Sequence, residues 1–220
     1  MSAVEVSHTR LRITEIFHSL QGESLNVGLP TVFVRLTGCP LRCVWCDTTY
    51  AFGGGAWMDV DQVVEQVAGF RTSHVTVTGG EPLAQRACLS LLTDLCDRGL
   101  RVSLETSGAV TLSNVDPRVK IVMDLKAPGS GEQGRNRWEN LGDLRRTDQI
   151  KFVIAHRQDY DWAVARIEEH GLAERAHLLF SPVFEQMDPA ELAGWILEDR
   201  LPVRFQLQLH KTLWGDQPGR

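Results

Sequence analysis

The chain has 220 residues, of which 43% are apolar and 23% charged, and a formal net charge of −5. That length and balance suit a single soluble domain, residues 1–220, with a sizeable core, and so mild a negative charge gives no basic footprint for nucleic acid. No apolar run reaches the roughly 20 residues of a membrane helix and Met1 to Arg12 lack the apolar stretch of a secretory signal, so no membrane partner is expected and the cytoplasm is the expected compartment.

Apolar, β-branched runs recur at residues 11–17, 31–36, 75–78, 102–105, 121–125, 150–154, 177–180 and 203–209, the lengths expected of strands. Helical patterns lie between several of them. Asp59 followed by Gln62 makes a capping-box pattern that opens a helix over 60–70. Residues 85–98 carry Cys88, Leu91, Leu92, Leu95 and Cys96 on one stripe and stop at Gly99, a residue suited to the position after a helix. Cys88 and Cys96 lie about 12 Å apart along that helix, too far for a disulfide, and read as core hydrophobes. A helix over 160–170 ends in the same way at Gly171, and Asp188-Pro189-Ala190-Glu191 opens another with an N-cap, a proline at the first helical position and a reciprocal acid. Residues 127–148 are polar and glycine-rich without a period, which reads as a long loop over one edge. Strands alternating with helices imply parallel pairing in an α/β fold. The units are too few for a closed eight-fold barrel, so a six-stranded partial (β/α) barrel is expected, with its site at the carboxyl ends of the strands.

The densest chemical signal is Cys39, Cys43 and Cys46, spaced C-x-x-x-C-x-x-C just after the strand at 31–36. Three soft thiolates can hold three irons of a 4Fe–4S cluster and leave the fourth open to a ligand. A structural zinc site needs four closed ligands, and the chain offers no fourth cysteine nearby. A reduced thiolate site also fits the cytosol. Thr78-Gly79-Gly80-Glu81 follows another strand: two glycines allow a ligand close to the backbone, and the carboxylate could pair with an ammonium group. Beside the cysteine loop the binding reading outweighs an ordinary tight turn. For Glu105-Thr106-Ser107-Gly108 a cofactor contact and a capped turn stand equal. Arg35 alternates with Val34 and Leu36, so it is either a solvated edge residue or a charge turned inward to clamp a carboxylate.

With Trp45 just before the last cysteine, the loop resembles that of radical S-adenosylmethionine (SAM) enzymes. The resemblance sharpens along the chain. Ser19-Leu20-Gln21-Gly22-Glu23, Phe33-Val34-Arg35, Cys46-Asp47-Thr48, Gly79-Gly80-Glu81-Pro82, Asp124-Leu125-Lys126 and Gln208-Leu209-His210-Lys211 together are similar to the 7-carboxy-7-deazaguanine synthase family. Such a resemblance implies a carbon–nitrogen lyase of queuosine biosynthesis that contracts the ring of 6-carboxy-5,6,7,8-tetrahydropterin with release of ammonia. It implies a 4Fe–4S cluster on Cys39, Cys43 and Cys46, SAM, Mg²⁺, an external one-electron reductant and a homodimer.

By matching position, SAM would meet Trp45, Cys46, Asp47, Gly80, Glu81, Asp124, Leu125, Lys126, Phe180, Ser181, Pro182 and Val183. The pterin would meet Leu20, Gln21, Gly22, Glu23, Arg35, Thr78 and His210. Thr48 would bind Mg²⁺, with substrate oxygens and water completing the octahedron. Many relatives have Ser-Pro-Lys where this chain has Asp124-Leu125-Lys126. A glycyl-radical-enzyme activating enzyme is the alternative within the superfamily, and a zinc- or iron-binding adaptor is the alternative without catalysis.

Overall fold

The computed structural model describes residues 9–215, 217 and 219. One nine-stranded sheet organises them, in the order β3-β1-β2-β4-β5-β6-β7-β8-β9. Six strands of substance run parallel: β2 (Pro30–Leu36), β4 (His74–Gly79), β5 (Arg101–Thr106), β6 (Lys120–Asp124), β7 (Gln149–Ile154) and β8 (His177–Pro182). They form the expected partial barrel, and the sheet does not close on itself.

Three elements depart from the expectation. The first strand, β1 (Arg10–Leu20), runs antiparallel to β2, because the short connection 21–29 is a hairpin loop and not a helical crossover. A short strand, β3 (Ala56–Asp59), pairs with the far side of β1. At the other end, the strand expected over 203–209 shrinks to β9 (Arg204–Phe205). Gln208 instead caps the short helix α5 (Leu209–Trp214).

Helices follow the local signals. The capping box at Asp59 and Gln62 opens α1 (Val60–Gly69), and Asp188 accepts a hydrogen bond from Ala190 N (2.9 Å) at the head of α4 (Pro189–Glu198). Helix α2 (Cys88–Asp97) starts later than expected, because Pro82–Ala84 forms a separate 3-10 turn. Helix α3 (Arg157–His170) starts earlier and closes at Gly171, whose φ of 58° is left-handed.

Strand parity places the site. Val34, Val77, Leu104, Met123, Phe152 and Phe180, one from each parallel strand, join the core shared with α1 to α4. The opposite face of the same strands carries Arg35, Thr78, Glu105, Asp124, Lys151 and Ser181, all of which line one cavity of about 670 Å³. Since successive strand residues point to opposite faces, each strand gives an apolar set to the helices and at least one polar residue to the cavity. Cys88 is fully buried in the core beneath α2.

Candidate active site

Cys39, Cys43 and Cys46 all line the cavity and are half-buried. Their loop is held from both sides. Gly38 N donates to Ala51 O (2.7 Å) and Val44 N to Ser130 O (3.0 Å). The Arg42 guanidinium donates to Cys39 O (2.8 Å) and sits 4.3 Å from the centre of the Phe52 ring. From residues 127–148, Ser130 and Glu132 hold the cysteine loop, Ser130 meeting Val44 and Glu132 accepting from Arg42 N at 2.5 Å, while Asn140 donates to Gly108 O and Val110 O beyond β5. Burial pushes all three thiols up from their ordinary range, so metal binding would have to displace protons. Among the described residues no three His, Cys, Asp or Glu side chains converge on one point as the ligands of a single ion would. The ligands of a cubane instead stand around its corners, each on a different iron. Three soft donors on one cavity wall fit such a cluster.

The glycine turn packs directly on that loop. A Cβ on Gly80 would overlap the Gly38 carbonyl and lie 2.8 Å from Cys39 Cβ, so only glycine lets the two motifs meet. Gly80 lines the cavity, but Glu81 does not. Its side chain is fully buried and accepts from Leu83 N (3.0 Å), Thr106 Oγ1 (2.9 Å), Ser107 N (2.7 Å) and Ser107 Oγ (2.5 Å). The ammonium pairing expected of this carboxylate is replaced by a structural one: it ties the glycine turn to the end of β5.

The residues expected to meet the pterin, Leu20, Gln21, Gly22, Glu23, Arg35, Thr78 and His210, all line the cavity. Gln21 Nε2 donates to Thr76 Oγ1 (3.0 Å) and Glu105 Oε1 (3.3 Å), while Thr78 Oγ1 donates to Glu105 Oε2 (2.9 Å). Arg35 is turned inward, and its Nε donates to Glu15 Oε1 at 2.7 Å. That bond uses one edge of the guanidinium and leaves the terminal nitrogens for a ligand. His210 reaches the site because Leu209 N donates to Gly22 O (2.9 Å) and the imidazole stands where a Cβ on Gly22 would be. Burial holds the His210 imidazole below its usual range.

Of the residues expected to meet SAM, Trp45, Asp47, Asp124, Lys126, Ser181, Pro182 and Val183 line the cavity. Leu125 and Phe180 do not. Leu125 is buried at 1% exposure, and Phe180 lies edge-on to Phe152 and Tyr160 at 5.4 and 5.8 Å. Parity explains Phe180, which occupies the helix-facing side of β8. Their side chains belong to the core, which leaves only their backbone for the expected cofactor contacts. Thr48 also lines the cavity, where its hydroxyl donates to Asp47 Oδ1 (2.8 Å).

The structure adds residues that sequence reading missed. Glu105 was an even choice between cofactor and turn, and it faces Gln21 and Thr78 instead. Burial pushes its carboxyl up. Lys151 had one legible signal, a charge inside the apolar run 150–154. Gln208 Nε2 donates to Glu23 Oε1 (2.7 Å) and Asp47 Oδ2 (3.1 Å), bridging the substrate turn to the cysteine loop.

A three-cysteine loop and a glycine turn sharing one cavity inside a partial parallel barrel define a radical SAM enzyme, and residues 33–126 match the Radical SAM superfamily. The fold agrees with the crystal structure of QueE from Escherichia coli, at a TM-score of 0.75 and 22% identity over 91% of this chain and 95% of that one. More specifically, the chain belongs to the 7-carboxy-7-deazaguanine synthase family. It is 47% identical over 209 residues to the 7-carboxy-7-deazaguanine synthase of Chlorobaculum tepidum, covering 93% of this chain and 94% of that relative. The corresponding enzyme of Koribacter versatilis is 44% identical over 219 residues, covering 93% and 97%.

Proposed function

We infer that this chain is a radical SAM carbon–nitrogen lyase that converts 6-carboxy-5,6,7,8-tetrahydropterin to 7-carboxy-7-deazaguanine with release of ammonia, in queuosine biosynthesis. The observation that carries this reading is the single cavity shared by the three cysteines, the Gly79-Gly80 turn and the Gln21-Gly22-Glu23 turn. Cys39, Cys43 and Cys46 would hold a 4Fe–4S cluster, which together with SAM would supply radical chemistry for hydrogen-atom abstraction.

The protein's own contribution is orientation. Arg35 offers a planar fork to the pterin carboxylate. Gln21, Thr78 and Glu105 form a donor and acceptor row suited to the polar edge of the heterocycle. Gly22 keeps the backbone low enough for His210 to reach over it. Asp47, Gly80, Asp124, Lys126, Ser181, Pro182 and Val183 offer polar and backbone contacts to SAM. For Mg²⁺, Thr48 and the adjacent Asp47 carboxylate supply hard oxygens on the cavity wall, and substrate oxygens with water would complete the shell. The family resemblance also supports an external one-electron reductant, a homodimer, a cytoplasmic location and one domain over residues 1–220. No described helix is long and apolar enough to cross a membrane.

A glycyl-radical-enzyme activating enzyme is not favoured, because the curated relatives above carry the synthase name over nearly the whole chain. Anaerobic incubation of the reconstituted protein with 6-carboxytetrahydropterin, SAM and dithionite tests the assignment. Formation of 7-carboxy-7-deazaguanine and ammonia is expected, and SAM cleavage without either product would refute it.

A further inference from the structure

We propose that Lys151 is a positioning residue that sets the substrate turn against the cofactor-side strand end, a proposal that rests on the synthase reading above. Lys151 sits in the middle of β7 between Ile150 and Phe152, which belong to the core, so parity sends its side chain into the cavity. Its ammonium lies 2.6 Å from Glu23 Oε2, on the substrate turn, and 3.8 Å from Asp124 Oδ2, at the end of β6. All three side chains are at most 17% exposed.

Each of the two carboxylates is held by one oxygen pattern that leaves it aimed. Glu23 takes Lys151 on Oε2 and Gln208 on Oε1. Asp124 takes Lys126 at 2.9 Å on Oδ2, while its Oδ1 is buried with no partner among the described residues. An orphaned buried carboxylate oxygen is costly unless a ligand completes it, and here it belongs to a group that Lys151 helps to orient. The backbone of the substrate turn is held by Leu209 N on Gly22 O, Ser24 N on Gln206 Oε1 and Leu25 N on Gln149 Oε1, which leaves the aim of the Glu23 side chain to Lys151 and Gln208. The Lys151 ammonium thus touches both the Glu23 side chain and Asp124.

Because Lys151 already faces two carboxylates, and Asp124 keeps Lys126 at 2.9 Å, it acts chiefly through Glu23 at 2.6 Å and not on the pterin. Removing it should let the Glu23 side chain drift, and a displacement near 1 Å can cost on the order of 100-fold in a positioned reaction. The reacting partners would still bind, but the radical would be spent without ring contraction.

The test compares wild type, K151M, E23Q and the E23Q/K151M double variant after anaerobic reconstitution, reading 7-carboxy-7-deazaguanine formed per SAM cleaved. K151M should lower that ratio at least about tenfold while cluster absorbance and the KM for SAM stay near wild type. In the E23Q background the same change should add little, since the residue it acts through is already neutral. The double variant also keeps the question open to measurement if K151M alone does not fold, because it removes both charges together. A wild-type ratio in K151M overturns the proposal. So does a ratio that falls in E23Q/K151M well below that of E23Q, which would place the ammonium on the substrate itself. A loss of product that only tracks melting temperature and cluster content would make Lys151 a strut and overturn it too. Failure of the wild type to make any product refutes the synthase reading instead.

Discussion

Replacing Glu81 by Gln isolates the structural role of a carboxylate that its motif would assign to the cofactor. The side chain is fully buried, and four donors converge on its two oxygens: Leu83 N, Thr106 Oγ1, Ser107 N and Ser107 Oγ. Gln keeps one acceptor oxygen and turns an NH2 group towards donors that have nowhere else to go. Hydrogen bonds to a buried charge contribute about 1.5–3 kcal/mol each, so stranding one of these donors costs about that much. At roughly 2–4 °C per kcal/mol for a chain of this size, the apo protein should melt about 3–12 °C lower. Circular dichroism melts of apo wild type and Glu81→Gln give that difference, and calorimetric titration of SAM into the reconstituted proteins gives the affinity. The expectation is a large stability loss, with SAM affinity retained in the folded fraction. Wild-type melting combined with a SAM affinity weakened tenfold or more would mean that the carboxylate meets the cofactor directly.

Arg35→Ala should weaken pterin binding by about 2–5 kcal/mol, the cost of truncating a buried charge-assisted pair, while uncoupled SAM cleavage survives; an unchanged KM for the pterin would remove Arg35 from the substrate site. Thr48→Ala should blunt the response of turnover to Mg²⁺ and leave cluster content intact, and superimposable Mg²⁺ titrations of wild type and variant would take Thr48 out of the metal site. Burial pushes the Glu23 carboxyl up, but the Lys151 ammonium and its hydrogen bond outweigh that and hold it below the usual range. A depressed carboxylate stabilises the fold above its unfolded pKa and loses that contribution as pH falls through the folded value. Wild type should therefore be more stable than Glu23→Gln at pH 7, with the gap closing in denaturant melts taken below about pH 4. A gap that widens on acidification would contradict the pairing with Lys151.

The sequence by itself determined the cysteine loop, the glycine turn and the alternation of strands with helices, because these signals are local. Spacing fixes which thiolates share a loop, and caps such as Asp59 and Asp188 set helix starts within a residue or two of the backbone they bind. It also determined the family, since the motifs recur in order over most of the chain. Tertiary structure decided what each polar residue faces. Arg35 could have been solvated or turned inward until β2 was placed between β1 and β4, and Phe180 fell to the core side once the parity of β8 was fixed. Glu81 and Lys151 were settled by partners far away in sequence, Thr106 with Ser107 in one case and Glu23 in the other. No local pattern encodes such pairs. Residues more than a hundred positions apart come within 2.6 Å because strand order and pleat bring them to one face, and whether a buried charge binds a ligand or braces the fold depends on what already occupies its oxygens and protons.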